Sequence, residues 1–321
     1  PEPIVRQCSD IQIKTLLREF FRNADLVVLK ETFDAFSLLG QADNLGSIMR
    51  FNFSDSTLCA IKANTAFWDS AQIVPSEVRA LLPSMHLIIA LTDKYTAVVA
   101  NPPYMGSGNM NPELSKYVEA NYKEGKTDLF STFMLLSENL LVENGKYGMI
   151  NMQSWMFLSS FEKLRSHIID TLRIDNMLHL GPRTFDELSG DVVQNTAFVI
   201  TKCIPTKETS GIYYRLVNGK NCAAKQTMFL SGANRYPHVL QSNFTKIPGS
   251  PIGYWVSEKI QETFTGNRPL SAVCKPTQGL ATADNGRFLR EWFEVDYNWI
   301  GFGYETSEAA AKSGKKWFPY N

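Results

Sequence analysis

Apolar residues along this chain fall either into short unbroken runs or into sets spaced three and four apart, and the alternation of the two predicts its elements. Residues 24–33 (ADLVVLKETF) fit a strand or the start of a buried helix, and periodicity alone does not choose between them. The spacing over 76–95 predicts a helix with Ser76 as its cap and Glu77 in the first turn. TAVVA, at 96–100, is a short apolar strand. The clearest helix is TDLFSTFMLLSENLLVENG, 127–145, with Gly145 in the C-cap position. Residues 146–153 read as a strand, 159–172 as an amphipathic helix and 173–181 as a strand. The segments 191–202 and 211–218 read as a strand pair joined by the polar turn CIPTKETSG.

Strands alternating with helices imply an α/β fold, a mainly parallel sheet with helices on both faces, and the late strand pair implies an antiparallel edge hairpin. Beyond about residue 230 the chain turns rich in Gly, Pro, Ser and Asn, with one short helix in SEKIQETF. The predicted organisation is therefore a core domain over 1–230 and a smaller, irregular segment over 231–321. No repeat or low-complexity tract interrupts either.

Composition narrows this picture. With 321 residues, 44% hydrophobic and 20% charged, the chain can bury a sizeable core. Its 32 basic and 32 acidic residues cancel, which counts against a tight grip on nucleic acid by this segment alone. Five scattered cysteines suit reduced thiols in a cytoplasm rather than a disulfide framework, and four histidines without ligand spacing give no reason to expect zinc or another metal. No apolar stretch approaches the roughly 20 residues of a membrane span, and no signal peptide opens the chain. A cytoplasmic protein without membrane contact is expected. The opening PEPIVRQ and the closing KKWFPYN read as the cut ends of an internal piece of a longer protein.

The candidate chemistry sits in YTAVVANPPYMGSGNMN, residues 95–111. Each X-Pro bond biases the residue before it away from helix, so Asn101 and Pro102 are held extended just past a strand end. That is where ligands collect in open α/β sheets. Pro102 and Pro103 carry no backbone donor, which leaves two acceptors, the Asn101 amide oxygen and the Pro102 carbonyl, beside the flat ring of Tyr104. Two acceptors and a stacking face suit an exocyclic amine on an aromatic ring. Taking both amine hydrogens draws the nitrogen lone pair out of conjugation and aims it at an electrophile, with positioning and charge stabilisation in place of a strong base. The same tetrapeptide also makes a good turn.

NPPY after an apolar strand resembles the signature of amino-methyltransferases, above all N6-adenine DNA methyltransferases. The strings VVANPPYMGSGNMN, TDLFSTFMLLSENLL, GMINMQSWMFLSSFEKLR and HLGPRTFDELSGDVVQNTAFVI resemble, more narrowly, the adenine methyltransferases of BREX phage-exclusion systems, the PglX type. The resemblance covers roughly residues 30–205 strongly. It implies a Rossmann-like methyltransferase fold, S-adenosylmethionine as cofactor, and double-stranded DNA with a flipped-out adenine as substrate. It makes Asn101 and Pro102 the acceptors for the target N6 amine and Tyr104 the ring that stacks on the base. It places Phe185 on the base's other face, the alternative being a plain core Phe. Asp128 and Phe133 fall where the family lines the cofactor pocket, and equally suit a helix cap and a core contact. GQADNLGSI makes Asp43 a further cofactor candidate. The stretch GSG at 106–108 reads as a flexible loop over the site rather than a phosphate cradle.

One departure bears on competence. The family holds its cofactor through a G-x-G turn after the first strand, nothing in residues 1–100 matches it, and GFG at 301–303 comes too late. Weak binding of S-adenosylmethionine is expected of this chain by itself. QGLATADNGRFLREWFEV, 278–295, resembles the junction to a DNA target-recognition domain. Competing readings are a protein-glutamine or RNA-adenine methyltransferase, or an inert scaffold that binds other phage-defence proteins.

Overall fold

The computed structural model describes residues 8–185, 193–275 and 282–320. Residues 191 and 192 of one expected strand, the start of the 278–295 junction and the opening PEPIVRQ lie outside the described residues. The chain divides into two compact units, Pro1–Asn267 and Arg268–Asn321.

The first unit opens with helices. Ser9 and Gln12 form a reciprocal capping box for α1 (Asp10–Phe21), Asp25 caps α2 (Leu26–Leu39), and a short α3 (Ala42–Leu45) follows. Segment 24–33 is thus helix, because Val28, Thr32, Ala35, Phe36 and Leu39 fall on one buried stripe. Ser54 caps α4 (Asp55–Ser70), and α5 (Ser76–Thr92) begins after Pro75. The expected cap at Ser76 is corrected: its hydroxyl bonds the Glu77 carboxylate, and no side chain caps α5.

The sheet has six strands: β1 (Tyr95–Ala100), β2 (Leu141–Met152), β3 (Arg173–Gly181), β4 (Asn195–Thr201), β5 (Ser210–Arg215) and β6 (Arg235–Leu240). They lie in the order β1-β2-β4-β3-β5-β6. β1, β2, β3 and β5 run one way, β4 and β6 the other. The α/β class and the dominant strand direction are as expected, but the late pairing is not. β4 and β5 are not neighbours; they flank β3, and the polar 203–209 segment carries the chain across its end. The antiparallel edge is β6 on β5, reached through α9 (Cys222–Ser231). To complete the helices, α6 (Pro112–Asn121), α7 (Leu129–Leu140) and α8 (Glu162–Thr171) lie between the earlier strands, and α10 (Glu258–Gly266) follows β6.

α7 ends at Leu140 and runs straight into β2, so Gly145 is a strand residue rather than a cap. A Cβ there would lie 2.9 Å from the Val142 carbonyl oxygen and 3.1 Å from that of Tyr95, a close approach only glycine allows. Tyr147, Met149 and Asn151 of β2, with Thr196, Phe198 and Ile200 of β4, are buried on the face that α7 and α8 cover.

Residues 231–267 belong to the first unit, which moves its boundary from the expected 230 to 267. Tyr254 stacks on Tyr213 of β5 at 4.8 Å. The buried Gln241 amide donates to the carbonyls of Ile169 and Leu172 and accepts from the amide N–H of Ile174. Arg165 forks onto the Gly249 carbonyl. Side-chain hydrogen bonds of this kind leave little sequence periodicity. The second unit contains two short helices, α11 (Asn285–Phe288) and α12 (Ser307–Lys312), a bridge between Ile300 and Trp317, and exposed rings at Trp292, Phe293 and Tyr297.

Candidate active site

β1 delivers the NPPY tetrapeptide to the carboxyl end of the sheet. Val98, Val99 and Ala100 pair in parallel with Tyr147, Gly148 and Met149, and pairing stops where Pro102 and Pro103 have no N–H to give. Asn101 and Pro103 are exposed and Pro102 is buried. Asn101 lines a depression of about 420 Å³ on the sheet face away from α7, together with Val99, Gly148, Ile150 and Leu178.

The segment after the tetrapeptide is fastened to the start of α7. Leu129 N–H donates to the Met105 carbonyl and Ser107 N–H to that of Thr127, each at 2.9 Å. Asp128, the N-cap of α7, accepts from Met105 N–H at 3.0 Å and from Phe130 N–H at 3.2 Å, both on Oδ1. One carboxylate thus caps the helix and buckles the loop. Burial raises the Asp128 pKa, with these N–H groups opposing. GSG, expected as a flexible loop, is held by the Ser107 bond and leads into a 3₁₀ turn, Ser107–Asn109.

Tyr104 is held from two sides. Its edge meets Phe130 at 6.2 Å and 88°, and Phe130 in turn stacks on buried Phe161 at 5.5 Å. Its Oη accepts from Asn195 Nδ2 at 3.1 Å. The residue stays 37% exposed, enough for a face to meet a ligand. Burial raises the phenol pKa, with the Asn195 bond opposing and the Asp128 charge adding to it.

The other sequence candidates are more dispersed. Asp43 is exposed on α3, whose next residue, Asn44, exchanges two hydrogen bonds with Asn111, the N-cap of α6, at 2.7 and 3.4 Å. α3 is therefore tied to the end of the segment that begins at Asn101. Phe133 is half-buried on α7 and packs against the core. Phe185 is 43% exposed beyond β3, the fourth strand in sheet order, and is the last described residue before 186–192.

Four polar residues near this end, Gln153, His179, Gln194 and Asn195, were not singled out by sequence reasoning. Asn195 is fully buried at the start of β4. Gln153 Nε2 donates to Gln194 Oε1 at 2.5 Å, and Gln153 Oε1 lies 2.7 Å from His179 Nε2. That oxygen can only accept, so His179 carries its proton on Nε2, and Nδ1 takes the Tyr254 hydroxyl at 3.0 Å. Burial, then the Arg215 and Lys225 charges, depress the His179 pKa to about 4. The available signal was the amide pair Gln194-Asn195 opening an otherwise apolar strand.

The tetrapeptide is thus an Asn-Pro-Pro-aromatic turn at the carboxyl end of a strand in a mixed sheet. Residues 34–185 match the Eco57I restriction-modification methylase family. It is 37% identical over 300 residues to the adenine-specific methyltransferase PglX of Lacticaseibacillus casei (90% of this chain, 25% of that one). It is 36% identical over 307 residues to the adenine-specific methyltransferase BrxX of Escherichia coli (92% and 24%). Among solved structures it is similar to a DrdV–DNA complex, at 14% identity and a TM-score of 0.40, over 57% of this chain and 20% of that one. The chain spans about a quarter of the length of the curated relatives it matches.

Proposed function

We propose that the protein carrying this chain transfers a methyl group from S-adenosylmethionine to the N6 amine of adenine in double-stranded DNA, marking DNA in a BREX-type or restriction-modification defence system. The observation that carries the reading is the placement of Asn101–Tyr104. An amide acceptor, a donor-free Pro-Pro and a half-exposed, braced ring meet at the carboxyl end of β1. The Asn101 side-chain oxygen and the Pro102 carbonyl accept the two amine hydrogens, and Tyr104 stacks on the extruded base. Each acceptor gains strength as the nitrogen becomes positive during transfer, so the site favours the transition state over the ground state. Phe185 closes on the base from its other face.

Residues here suit the cofactor in kind. Asp128 uses Oδ1 for the loop and turns Oδ2 toward Gly106, where even a Cβ would stand 3.7 Å away. That leaves a carboxylate acceptor of the sort hydroxyl and amino groups need, with Phe133 further along α7 and Asp43 on the tied α3 offering a ring and a second carboxylate. When bound, S-adenosylmethionine supplies the electrophilic methyl group. Other phage-defence proteins are the expected partners of the whole protein, and the cytoplasm, where DNA is, its expected place. Among the described residues no helix is long and apolar enough to cross a membrane.

The test is sequencing that detects N6-methyladenine in cells carrying the full-length gene, its Asn101→Ala variant, or neither. Site-specific methylation with the intact gene alone is expected. Equal methylation with Asn101→Ala, or none with the intact gene, sinks the reading.

A further inference from the structure

Asn195 opens β4, 91 residues from Tyr104, yet its amide reaches the Tyr104 hydroxyl. It is fully buried, and its Oδ1 has no hydrogen-bond partner among the described residues. The amide orientation follows from its second contact. Nδ2 also lies 3.4 Å from the backbone carbonyl oxygen of Asn151, which can only accept, so the NH₂ group and not the oxygen must face that side. Tyr104 Oη is then the acceptor in its bond with Asn195, and its own proton must point elsewhere. Phe130 packs against the ring, and the residue stays 37% exposed, which leaves that proton free to meet a ligand. A buried amide oxygen without a partner costs stability relative to an apolar residue of similar size. A purely structural role does not account for keeping it.

Resting on the reading of Tyr104 as the base platform, we propose that Asn195 is a positioning residue that fixes the polarity of the Tyr104 hydroxyl, so that the phenol donates its proton to a hydrogen-bond acceptor on the bound nucleotide. The tetrapeptide then contributes two acceptors, from Asn101 and Pro102, and one oriented donor. With the ring stacked on the base, that donor lies outside the base plane, so its acceptor is a sugar or phosphate oxygen of the nucleotide rather than a ring nitrogen of the stacked base.

The test is a double-mutant cycle in the full-length enzyme with Tyr104→Phe, Asn195→Leu and both together, following kcat and KM for a DNA duplex. Each single variant is expected to lower kcat/KM roughly tenfold, the size of one lost hydrogen bond, and the double variant no further than either one. Multiplication of the two effects, or full kcat/KM in Tyr104→Phe, overturns the proposal. The second outcome holds even if Asn195→Leu fails to fold. A readout independent of turnover uses ¹³Cζ-labelled tyrosine, with the Tyr104 resonance identified by its loss in Tyr104→Phe. That resonance should move in Asn195→Ser and stay put only if the hydrogen bond is not made. Loss of the methyltransferase reading would show instead as an inactive wild type in which the resonance still moves.

Discussion

The two ends of the same sheet treat polar groups in opposite ways. Where β2 and β3 begin and β4 ends, Asp175 is surrounded: Lys146, Arg173 and the Thr201 hydroxyl all donate to it. Burial pushes its carboxyl pKa up, but those three donors more than offset that and hold it below the ordinary range. At the opposite end Asn101 is exposed, and the Oδ1 atoms of Asn151 and Asn195 are buried with no partner among the described residues. The strands, their register and their burial are shared. Asp175 has a donor on each of its oxygens and serves stability; at the other end acceptors are left that a ligand could complete. The proposed site lies at the end where this polarity is unmet.

That contrast can be broken in five places. The largest effect is expected at Phe161, the buried floor under Phe130 and Tyr104. Phe161→Ala should cost about 3–5 kcal/mol of folding stability by leaving a cavity, read as a large drop in melting temperature. Next is the acid sensitivity contributed by His179. Its folded pKa of about 4 lies below the ordinary 6.5, so the unfolded chain takes up a proton the folded one refuses. Stability is full above pH 6.5 and falls as pH drops toward 4, by on the order of 3 kcal/mol. The pH dependence of unfolding should flatten across that window in His179→Gln, and an unchanged profile would remove His179 from the account.

Asn101→Ala in the full-length protein should slow methyl transfer at least roughly a hundredfold, with the melting temperature of this chain unchanged and DNA affinity, set mainly by phosphate contacts, little altered. Asp175→Ala should do the reverse, costing about 1–3 kcal/mol of stability and sparing the rate wherever the protein stays folded. A rate defect in Asp175→Ala without unfolding would mean that the two ends are not separable. The smallest expected effect is on the folding of Phe185→Ala, within about 0.5 kcal/mol of wild type; Tyr104→Ala costs about 1–3 kcal/mol because it strips the buried Asn195 amide of a partner, and either loss weakens capture of an unstacked base by about 1–3 kcal/mol. A large melting shift for Phe185→Ala would return that ring to the core.

Much of this was legible before any coordinates. β3 occupies 173–181 as its pattern predicted and β1 lies on its apolar run, because burial on one face writes a period into the sequence, whereas α7 stops at Leu140 and β2 begins at Leu141 rather than at the expected 146. The chemistry of NPPY was equally plain, since two prolines after a strand remove donors in any context. Sequence alone therefore determined the α/β class and the strand end at which the proposed site lies.

What it could not determine was who sits beside whom. β4 and β5 were read as a hairpin because they are adjacent in sequence, but pairing is chosen by which faces bury together, and each gains more against β3. Residues 231–267 looked like linker because they are joined to the core by Gln241, Arg165 and Tyr254, single contacts without a period. For the same reason Asn195 was invisible as a partner of Tyr104. A hydrogen bond between residues 91 apart leaves no local signature, and only the return of β4 beside β2 brings the amide to the phenol.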